Sequence, residues 1–312
     1  MAKTPQPPRV IVLGDLTLDV VLAPARPLER GTDVPGRAML RQGGSAANTA
    51  RWLGRLGART TLICAVGRDA PGRALVAALQ ADRVRVRARR IAGTRTGRIG
   101  VLVEPGGERS FVADRAAADG LGPLDLDPAW FIRIDALHLP AYSLLGKPLG
   151  DAGLAAIRLA RAAGALVTVD LASVGPLLER GRRAALALIG EAAPDLLFAT
   201  AGEADALVGA RRADGLLDLA PIAVVKRGQQ GATVLARADG GNLVHLEIAT
   251  TPFSATDTTG AGDAFDAGFL AGWLAARGRG LSQPTALRRG AVAGNRTALR
   301  HLSNPPGELA LG

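Results

Sequence analysis

Short apolar runs alternate with amphipathic segments along almost the whole chain, and this alternation restricts the possible folds more than any other feature. Runs such as VIVLG at 10–14 and TTLICAVG at 60–67 have the length and composition of buried strands. Segments with helical spacing lie between them, such as SAANTARWLGRLG at 45–57, for which Ser45 is a possible cap. Repeated strand–helix units predict an α/β fold with a mostly parallel sheet covered by helices on both faces.

Residues 96–115, TGRIGVLVEPGGERSFVADR, depart from this rhythm. Apolar and polar residues alternate on both sides of EPGGE, which is typical of a β-hairpin. With the stretch near 20–40, the hairpin could form a small sheet that closes over a substrate. We therefore expect lid segments at about 18–42 and 93–116 in a single domain of residues 1–312. An ordinary edge hairpin is the alternative, and another hairpin is predicted with its turn at 239–242.

The formal net charge of +10 comes almost entirely from arginine. The densest cluster, RVRVRARR at 83–90, alternates arginine with apolar residues, as expected for an edge strand with one solvated face. Aromatic residues make up only 3% of the chain, which leaves few side chains to stack on bases. The sequence has no helix-turn-helix or zinc-ligand pattern, so nucleic-acid binding is not expected as the main function.

The expected location is the cytoplasm, without membrane association. No apolar run reaches the roughly 18 residues needed to span a bilayer, and the first residues lack the apolar region of a signal peptide. The lone cysteine, Cys64, rules out an internal disulfide and lies in a predicted buried strand.

Three polar stretches follow predicted strands or hairpins: GDLTLD at 14–19, GGSAAN at 43–48 and DTTGAGD at 257–263. Such junctions gather at the carboxyl ends of parallel strands, where ligands bind. The glycines at 43–44 would let a ligand approach the backbone, and the turn before Asp263 would direct main-chain amides at a phosphate. The helix dipole favours the anion of Asp263, so we expect a carboxylate that is ionised near neutral pH and able to accept a proton. Each residue alone fits an ordinary turn or helix start, but their co-occurrence favours a site.

The two glycine-containing motifs also carry a resemblance to a known family. GGSAANTARWLGRLG and DTTGAGDAFDAGFLAG are similar to the two signatures of the PfkB (ribokinase-like) carbohydrate kinase family, and the similarity extends over residues 10–300. The resemblance implies a ribokinase-like three-layer α/β/α fold with a small β lid. It implies ATP-dependent phosphorylation of an alcohol on a sugar or nucleoside, with Mg²⁺ neutralising the phosphates. The implied catalytic residues are Asp263 as base and Gly260, Ala261 and Gly262 as the anion hole. The implied substrate-binding residues are Asp19, Thr17, Gly43, Gly44 and Asn48.

The resemblance extends to the nucleotide and metal side. An N-x-x-E motif of the family organises water around Mg²⁺; here TAGE at 200–203 keeps Glu203 but has Thr200 in place of the asparagine, so we expect a rearranged metal environment. Glu203 could equally be a first-turn helix charge, and Lys226 could reach a phosphate or be a surface residue. Asp257 and Thr259 match positions that bind a monovalent cation in some relatives, which makes K⁺ activation a hypothesis. The expected nucleotide-binding residues are Lys226, Gly228, Gly231, Asn295 and Thr258.

Ser45 bears on the choice of substrate. Sugar-phosphate kinases of the family tend to have lysine after the paired glycines, so Ser45 favours a neutral sugar, with nucleosides close behind. Arg109, on the lid hairpin, could contact an acid or phosphate on the substrate. A catalytically silent sugar-binding regulator is a further alternative, whereas the chain lacks the G-x-G-x-x-G pattern of a dinucleotide-dependent oxidoreductase. A homodimer through the lid edges is also possible, since an exposed edge invites pairing.

Overall fold

A central sheet of nine strands organises the chain. The computed structural model describes residues 6–106, 108–237, 242–255, 257–305 and 307–311. Its strands are β1 (Arg9–Leu13), β4 (Arg59–Gly67), β5 (Arg85–Ile91), β8 (Ala136–Pro140), β9 (Leu166–Asp170), β10 (Leu196–Thr200), β11 (Ile222–Lys226), β12 (Ala232–Arg237) and β13 (Leu243–Ile248). The strand order is β13-β12-β11-β10-β9-β8-β1-β4-β5. Strand β12 is antiparallel to both of its neighbours, β11 and β13, and all other neighbouring strands are parallel.

Helices cover both faces of this sheet. They are α1 (Ser45–Arg55), α2 (Ala70–Ala81), α3 (Leu149–Ala162), α4 (Val174–Leu178), α5 (Arg182–Ala192), α6 (Ala201–Val208), α7 (Ala261–Gly278) and α8 (Gln283–Ser303). Residues of α1, α2, α7 and α8 form one buried core with the sheet, and residues of α3 to α6 form a second core on the opposite face. The predicted α/β fold with three layers and a mostly parallel sheet is therefore confirmed.

A second, four-stranded sheet stands apart from the first. Its strands are β2 (Thr17–Pro24), β3 (Gly36–Gly43), β6 (Arg98–Val103) and β7 (Arg109–Asp114), in the order β3-β2-β6-β7. The predicted EPGGE hairpin corresponds to the antiparallel pair β6–β7. We call these four strands the lid sheet. Its closing motion and the single-domain boundaries stay predictions.

Some of the remaining strands and turns were predicted from the sequence, and others were not. Residues 85–91 form the edge strand β5, and the fully buried Cys64 lies in β4. Strands β12 and β13 form the predicted second hairpin, although residues 238–241 of its turn lie outside the described part of the chain. The short helix α4 and the 3₁₀ turns between 116 and 131 were not predicted, because such short elements carry no clear periodicity. No helix in the described residues combines the length and hydropathy that a bilayer span requires.

Candidate active site

The turn before α7 directs backbone amides toward open space. Gly260 adopts a left-handed conformation with φ of 82°, which lets the chain reverse into the helix. The Ala261 amide already donates to the Thr258 carbonyl at 3.2 Å, and the first helical bond runs from Ala264 N to Gly260 O. Among the described residues, no backbone acceptor faces the amides of Gly262 and Asp263. Of the predicted anion-hole residues Gly260, Ala261 and Gly262, only Ala261 thus has its amide bonded to a backbone acceptor in the described part of the chain. The amides of Gly262 and Asp263 lie at the positive end of the helix, where an anion is favoured.

A histidine from α8 holds this turn in place. Nδ1 of His301 accepts a hydrogen bond from Nε1 of Trp52 at 3.2 Å, so the ring proton lies on Nε2. His301 Nε2 then donates to the Thr259 carbonyl at 2.7 Å. Burial lowers the pKa of His301, which keeps the ring neutral in this role. The sequence pattern had not identified His301.

The Asp263 carboxylate is anchored at both oxygens. Ser45 Oγ donates to Oδ1 at 2.6 Å and Asn48 Nδ2 donates to Oδ2 at 2.9 Å. Burial nevertheless raises the pKa of Asp263 to about 7, since it outweighs these two bonds. Asp263 is therefore only partly ionised at pH 7, whereas the helix dipole alone predicted the anion, because desolvation opposes the dipole. A carboxyl group that titrates near pH 7 is suited to accept a proton from an alcohol.

Residues of α1 orient Asp263 rather than face solvent. The N-cap of α1 is Gly44, not Ser45 as predicted, and Ser45 is instead free to bind Asp263. Oδ1 of Asn48 accepts from Arg51 at 2.9 Å, and Arg51 also bonds Gln42. Asn48, predicted to hold substrate hydroxyls, is thus already bonded at both ends of its amide. Arg51 was missed because a helical arginine carries no sequence signal of burial.

Two further aspartates, Asp15 and Asp19, lie near this carboxylate. Asp15, which lies two residues after the end of β1, accepts from the Ala46 amide at 3.1 Å and from Arg115 at 3.0 Å. Asp19 is only 8% exposed, and Thr17 Oγ1 donates to it at 3.3 Å. Burial, with smaller contributions from Asp15 and Asp263, raises the pKa of Asp19 to about 7. The carboxyl groups of Asp19 and Asp263 therefore both have a pKa near 7.

The paired glycines accommodate the protein's own groups. A side chain on Gly43 would collide with the Asp19 carboxylate, and one on Gly44 would lie 2.5 Å from the Asp15 carbonyl oxygen. Gly44 also has a φ of 97°, which few other residues adopt. In the direction where a Cβ would project, the space beside these glycines is thus taken by Asp19 and Asp15. Contact between a ligand and the glycine backbone stays a prediction.

Lys226 lies in a buried cluster of charges beneath the turn at residues 258–262, which we call the anion turn. Its Nζ is 3.0 Å from Asp170 Oδ1 and 3.1 Å from Asp266 Oδ2. A Cβ on Gly262 would lie 3.4 Å from the same Nζ, which places the ammonium group directly against the turn. The two carboxylates raise the pKa of Lys226 despite its burial, so the lysine stays charged. The interpretation of Lys226 as a surface residue was wrong. Asp170, at the end of β9, was missed.

Thr200 and Glu203 form a reciprocal cap on α6. The Thr200 amide donates to Glu203 Oε2 at 2.8 Å, and the Glu203 amide donates to Thr200 Oγ1 at 3.2 Å. Burial, followed by the charge of Asp170, raises the pKa of Glu203. The threonine that replaces the expected asparagine therefore has a structural role, as does the glutamate.

A cavity of about 630 Å³ borders the anion turn, and residues 258, 261 and 262 of the turn form part of its lining. Its volume is within the range of small-molecule sites. Gly228 has open space beside its Cα, whereas Gly231 is packed against the Ile248 carbonyl. Asn295 Nδ2 is bonded to the backbone carbonyls of Ile248 and Ala249, both at 3.2 Å, so it is buried rather than surface-exposed. The lining includes the predicted residues Lys226, Gly228, Gly231, Thr258, Ala261, Gly262 and Asn295, with Phe253, Ala298, Leu299 and Leu302 as an apolar wall.

Two lid arginines contact the loop before the anion turn. Arg41 on β3 is 2.5 Å from Asp257, and Arg109 on β7 is 3.5 Å from it. Arg109 also donates to Thr259 Oγ1 at 2.8 Å and to the Thr258 hydroxyl. Both edge strands of the lid sheet thus reach the same loop. Arg109, predicted to contact substrate, is bonded to protein groups here.

The described residues hold no cluster of three or more His, Cys, Asp or Glu side chains able to cage a metal. Mg²⁺ in nucleotide sites takes most ligands from phosphates and water, with one or two carboxylates. Glu203, which follows the cavity-lining residues 200–202, fits that limited requirement.

Comparisons with known proteins identify a family and a fold for this chain. A model of the pfkB family carbohydrate kinases matches residues 7–308. A fructokinase from Klebsiella pneumoniae is 32% identical over 281 residues, which cover 86% of this chain and 85% of the relative. An ATP-dependent ribose-1-phosphate kinase from Halopiger xanaduensis is 32% identical and covers 85% of each chain. Among solved structures, the adenosine kinase from Sinorhizobium meliloti superposes with a TM-score of 0.81 at 23% identity, over 98% of both chains, and so shares the fold.

With the signature residues Asp263 and Asn48 bonded to each other at the tip of α7, and with a family match over nearly the whole length, the chain belongs to the pfkB family of carbohydrate kinases and is a phosphotransferase that acts on an alcohol group.

Proposed function

We propose that this kinase transfers the γ-phosphoryl group of ATP to a hydroxyl of a neutral sugar, with Asp263 as the general base. The observation that carries the proposal is the position of Asp263. Its carboxylate is held by Ser45 and Asn48 and is close enough to Asp19 to raise the pKa of that group. Its neighbour Gly262, whose amide has no backbone acceptor among the described residues, lines the 630 Å³ cavity. A proton acceptor and an anion-binding turn thus meet where an alcohol and a phosphate could approach from opposite sides.

The proposed step is a direct displacement. The sugar hydroxyl oxygen forms a bond to the γ-phosphorus while the bond from that phosphorus to the β-bridging oxygen breaks, and its electron pair leaves with ADP. The hydroxyl proton goes to the Asp263 carboxylate, which must therefore be ionised beforehand. The Gly262 and Asp263 amides would stabilise charge on the transferred group. Bound Mg²⁺ would neutralise the nucleotide phosphates, with Glu203 as the protein group nearest to that role.

The residues around the cavity support a nucleotide as the phosphoryl donor. The open Gly228 would let a base approach the backbone, and the apolar wall with Leu299 and Leu302 would cover its face. Asn295 and Gly231 would act indirectly, because both are committed to the end of β13. Lys226 would act from beneath the anion turn as a fixed positive charge.

The fructokinase relatives support a neutral sugar as the acceptor. Asp19 and Asp15 would then accept hydrogen bonds from sugar hydroxyls, and Thr17 would fix the orientation of Asp19. The adenosine kinase neighbour supports only the fold, so a nucleoside acceptor stays an alternative.

A phosphorylated sugar is a second candidate, favoured by the arginines near the aspartate cluster. Arg115 bonds Asp15 and lies 4.2 Å from the centroid of the Tyr142 ring. With Arg180 it lines a cavity of about 390 Å³, in which a phosphate could be held. The ribose-1-phosphate kinase relative is consistent with that possibility.

Two further expectations belong to the same proposal. Activation by K⁺ stays a prediction, and equal rates in K⁺ and in tetramethylammonium would contradict it. Dimerisation through the free edges of β3 and β7 also stays a prediction, which the mass in solution would test.

The decisive experiment measures ADP release with ATP, Mg²⁺ and a panel of acceptors: fructose, ribose, a 2-keto-3-deoxy sugar acid, ribose 1-phosphate and adenosine. We expect the highest kcat/KM with a neutral sugar. Turnover with ribose 1-phosphate alone would establish the second candidate, and turnover with adenosine alone would establish the nucleoside alternative. Saturable sugar binding without ADP release would support a non-catalytic regulator and contradict the proposal.

A further inference from the structure

A second large cavity lies at the opposite end of the central sheet from Asp263. Its volume is about 830 Å³, and it is formed where β1, β4 and β5 begin, against the segment 127–134. Six arginines line it: Arg9, Arg59, Arg83, Arg85, Arg87 and Arg133. We call this feature the arginine pocket. The proposed kinase chemistry makes no use of it.

The strand register brings four of these arginines to one face of the sheet. Arg9 lies directly opposite Arg59 in the parallel ladder of β1 and β4. Thr61, two residues after Arg59, lies opposite Arg85, which has Arg87 two residues further along β5. Since residues two apart in a strand share a face, Arg9, Arg59, Arg85 and Arg87 all project to the same side. Like charges directly opposite one another are destabilising in a sheet, so this arrangement has an energetic cost.

The nearby carboxylates do not pair with the guanidinium groups of the pocket, although Asp135 Oδ2 accepts from the backbone amide of Arg9 at 2.7 Å. Among the described residues, none of the six side chains forms an ion pair, whereas nearby Arg55 and Arg89 pair with Asp82 and Asp125. Asp127 is the one acid in the described lining, and its Oδ1 accepts from the Ala129 amide at 2.9 Å. Guanidinium groups stay protonated at any physiological pH, so the pocket keeps its charge.

The shape and the remaining lining narrow the class of ligand. The volume suits a small molecule, and the rigid forks of several arginines match phosphate oxygens. Trp130 forms part of the wall, with the Arg87 guanidinium 5.1 Å from its ring centroid, and Ile132 is 61% exposed beside it. A long single-stranded nucleic acid would favour a groove with successive stacking aromatics, and Trp130 is the one aromatic residue in the described lining.

We propose that the arginine pocket is a binding site for a small polyphosphorylated anion, separate from the kinase site. Two or more linked phosphates would bridge neighbouring arginines on the same face of the sheet, and an attached apolar group would contact Trp130 and Ile132. The ligand would thereby remove the repulsion between Arg9 and Arg59.

Inorganic tripolyphosphate without Mg²⁺ is the probe, used with the full chain at low salt. Binding is measured by calorimetry, and its location by amide hydrogen exchange of residues 83–91 and 128–134. The double variant Arg85→Ser, Arg87→Ser removes two pocket charges. The matched variant Arg288→Ser, Arg289→Ser removes two exposed charges from α8 and leaves the same net charge.

We expect saturable binding, slower exchange in both segments, and an affinity at least about 10-fold weaker in the pocket variant, because each arginine–phosphate contact is worth about one factor of ten. The α8 variant should stay within about 2-fold of the wild type. The inference is overturned by equal losses in the two variants, by protection confined to the turn at 257–263, or by the absence of saturation. Protection of the two segments by a single-stranded oligonucleotide but not by tripolyphosphate would also overturn it.

Discussion

The two ends of the parallel strands differ in how their charges are satisfied. At the carboxyl ends, Asp15, Asp170 and Asp263 are bonded to donors from other parts of the fold. At the amino ends, Arg9, Arg59 and their neighbours line an open pocket without carboxylate partners among the described residues. Buried charges need partners within the protein, whereas charges at the surface can be satisfied by solvent or a ligand.

The two ends of the strands also differ in whether their charged groups change protonation state near neutral pH. Burial brings the pKa values of Asp19 and Asp263 to about 7, where small changes in pH alter their charge. The arginines at the other end keep one charge state. The comparison therefore predicts pH-dependent chemistry at the carboxyl ends and salt-dependent binding at the amino ends.

The largest effect should follow from removing Asp263, the proposed general base, at the carboxyl end. Asp263→Asn keeps a side chain of the same size but cannot take the hydroxyl proton, so we expect kcat to fall by about 10²–10⁴-fold. ADP release measures this, and calorimetry should show that nucleotide binding is retained. Asp218→Asn, at a site whose side chain is 78% exposed, is the control and should leave kcat unchanged. Substantial turnover by the Asp263 variant would remove it from the catalytic role.

Replacing the buried Lys226 tests whether the charges at the carboxyl ends depend on ion pairs within the protein. Lys226→Met leaves Asp170 and Asp266 without their cation, so we expect a loss of about 3–5 kcal/mol in the free energy of unfolding. Urea denaturation measures it. Lys147→Met, whose side chain is 82% exposed, should change stability by less than about 0.5 kcal/mol.

A double variant sharpens the same result. Lys226→Met with Asp266→Leu removes the charged pair together, and it should be more stable than Lys226→Met alone because one fewer buried carboxylate lacks a partner. If the single variant is as stable as the wild type, the buried cluster does not require its internal pairing.

The titration of Asp19 should appear in the pH dependence of stability. The folded-state pKa of about 7 lies above the ordinary aspartate pKa of 3.8, so the folded chain holds this proton more tightly and loses stability as the pH rises from 3.8 to about 7. Asp19→Asn removes this loss. Its stability advantage over the wild type should grow by about 1–3 kcal/mol between pH 5 and pH 8.

Thermal or urea unfolding across that pH range measures the difference. The exposed Asp33→Asn serves as the control for the loss of one carboxylate, with an expected change within about 0.5 kcal/mol. An advantage of Asp19→Asn that shrinks as the pH rises would show that the folded chain does not retain the Asp19 proton.

The smallest effect is expected at the amino end, where removing a charge should increase the free energy of unfolding rather than decrease it as Lys226→Met does. Arg59→Thr removes the like charge opposite Arg9, so we expect a gain of about 0.2–1 kcal/mol at low salt that largely disappears at high salt. Arg55→Thr, which breaks the pair with Asp82, should instead cause a small loss. Destabilisation by Arg59→Thr would mean that Arg59 already has a favourable partner.

The sequence was most informative where a feature depends on neighbouring residues. The alternation around EPGGE predicted β6 and β7, and the helix after Gly260 begins as expected. It was least informative for partners far apart in the chain. Ser45 and Asp263 are separated by 218 residues, and nothing in the local pattern distinguishes a cap from a hydrogen-bond donor to the base.

The sequence by itself determined the α/β class, the lid hairpin and the polar stretches at the strand ends, because side-chain periodicity and turn residues act over a few positions. Only the tertiary structure decided which groups meet: Lys226 with two carboxylates, Asn48 with Asp263, and Arg9 with Arg59. It also set the pKa of Asp263 near 7, since desolvation depends on all the atoms packed around a group and not on its neighbours in the chain.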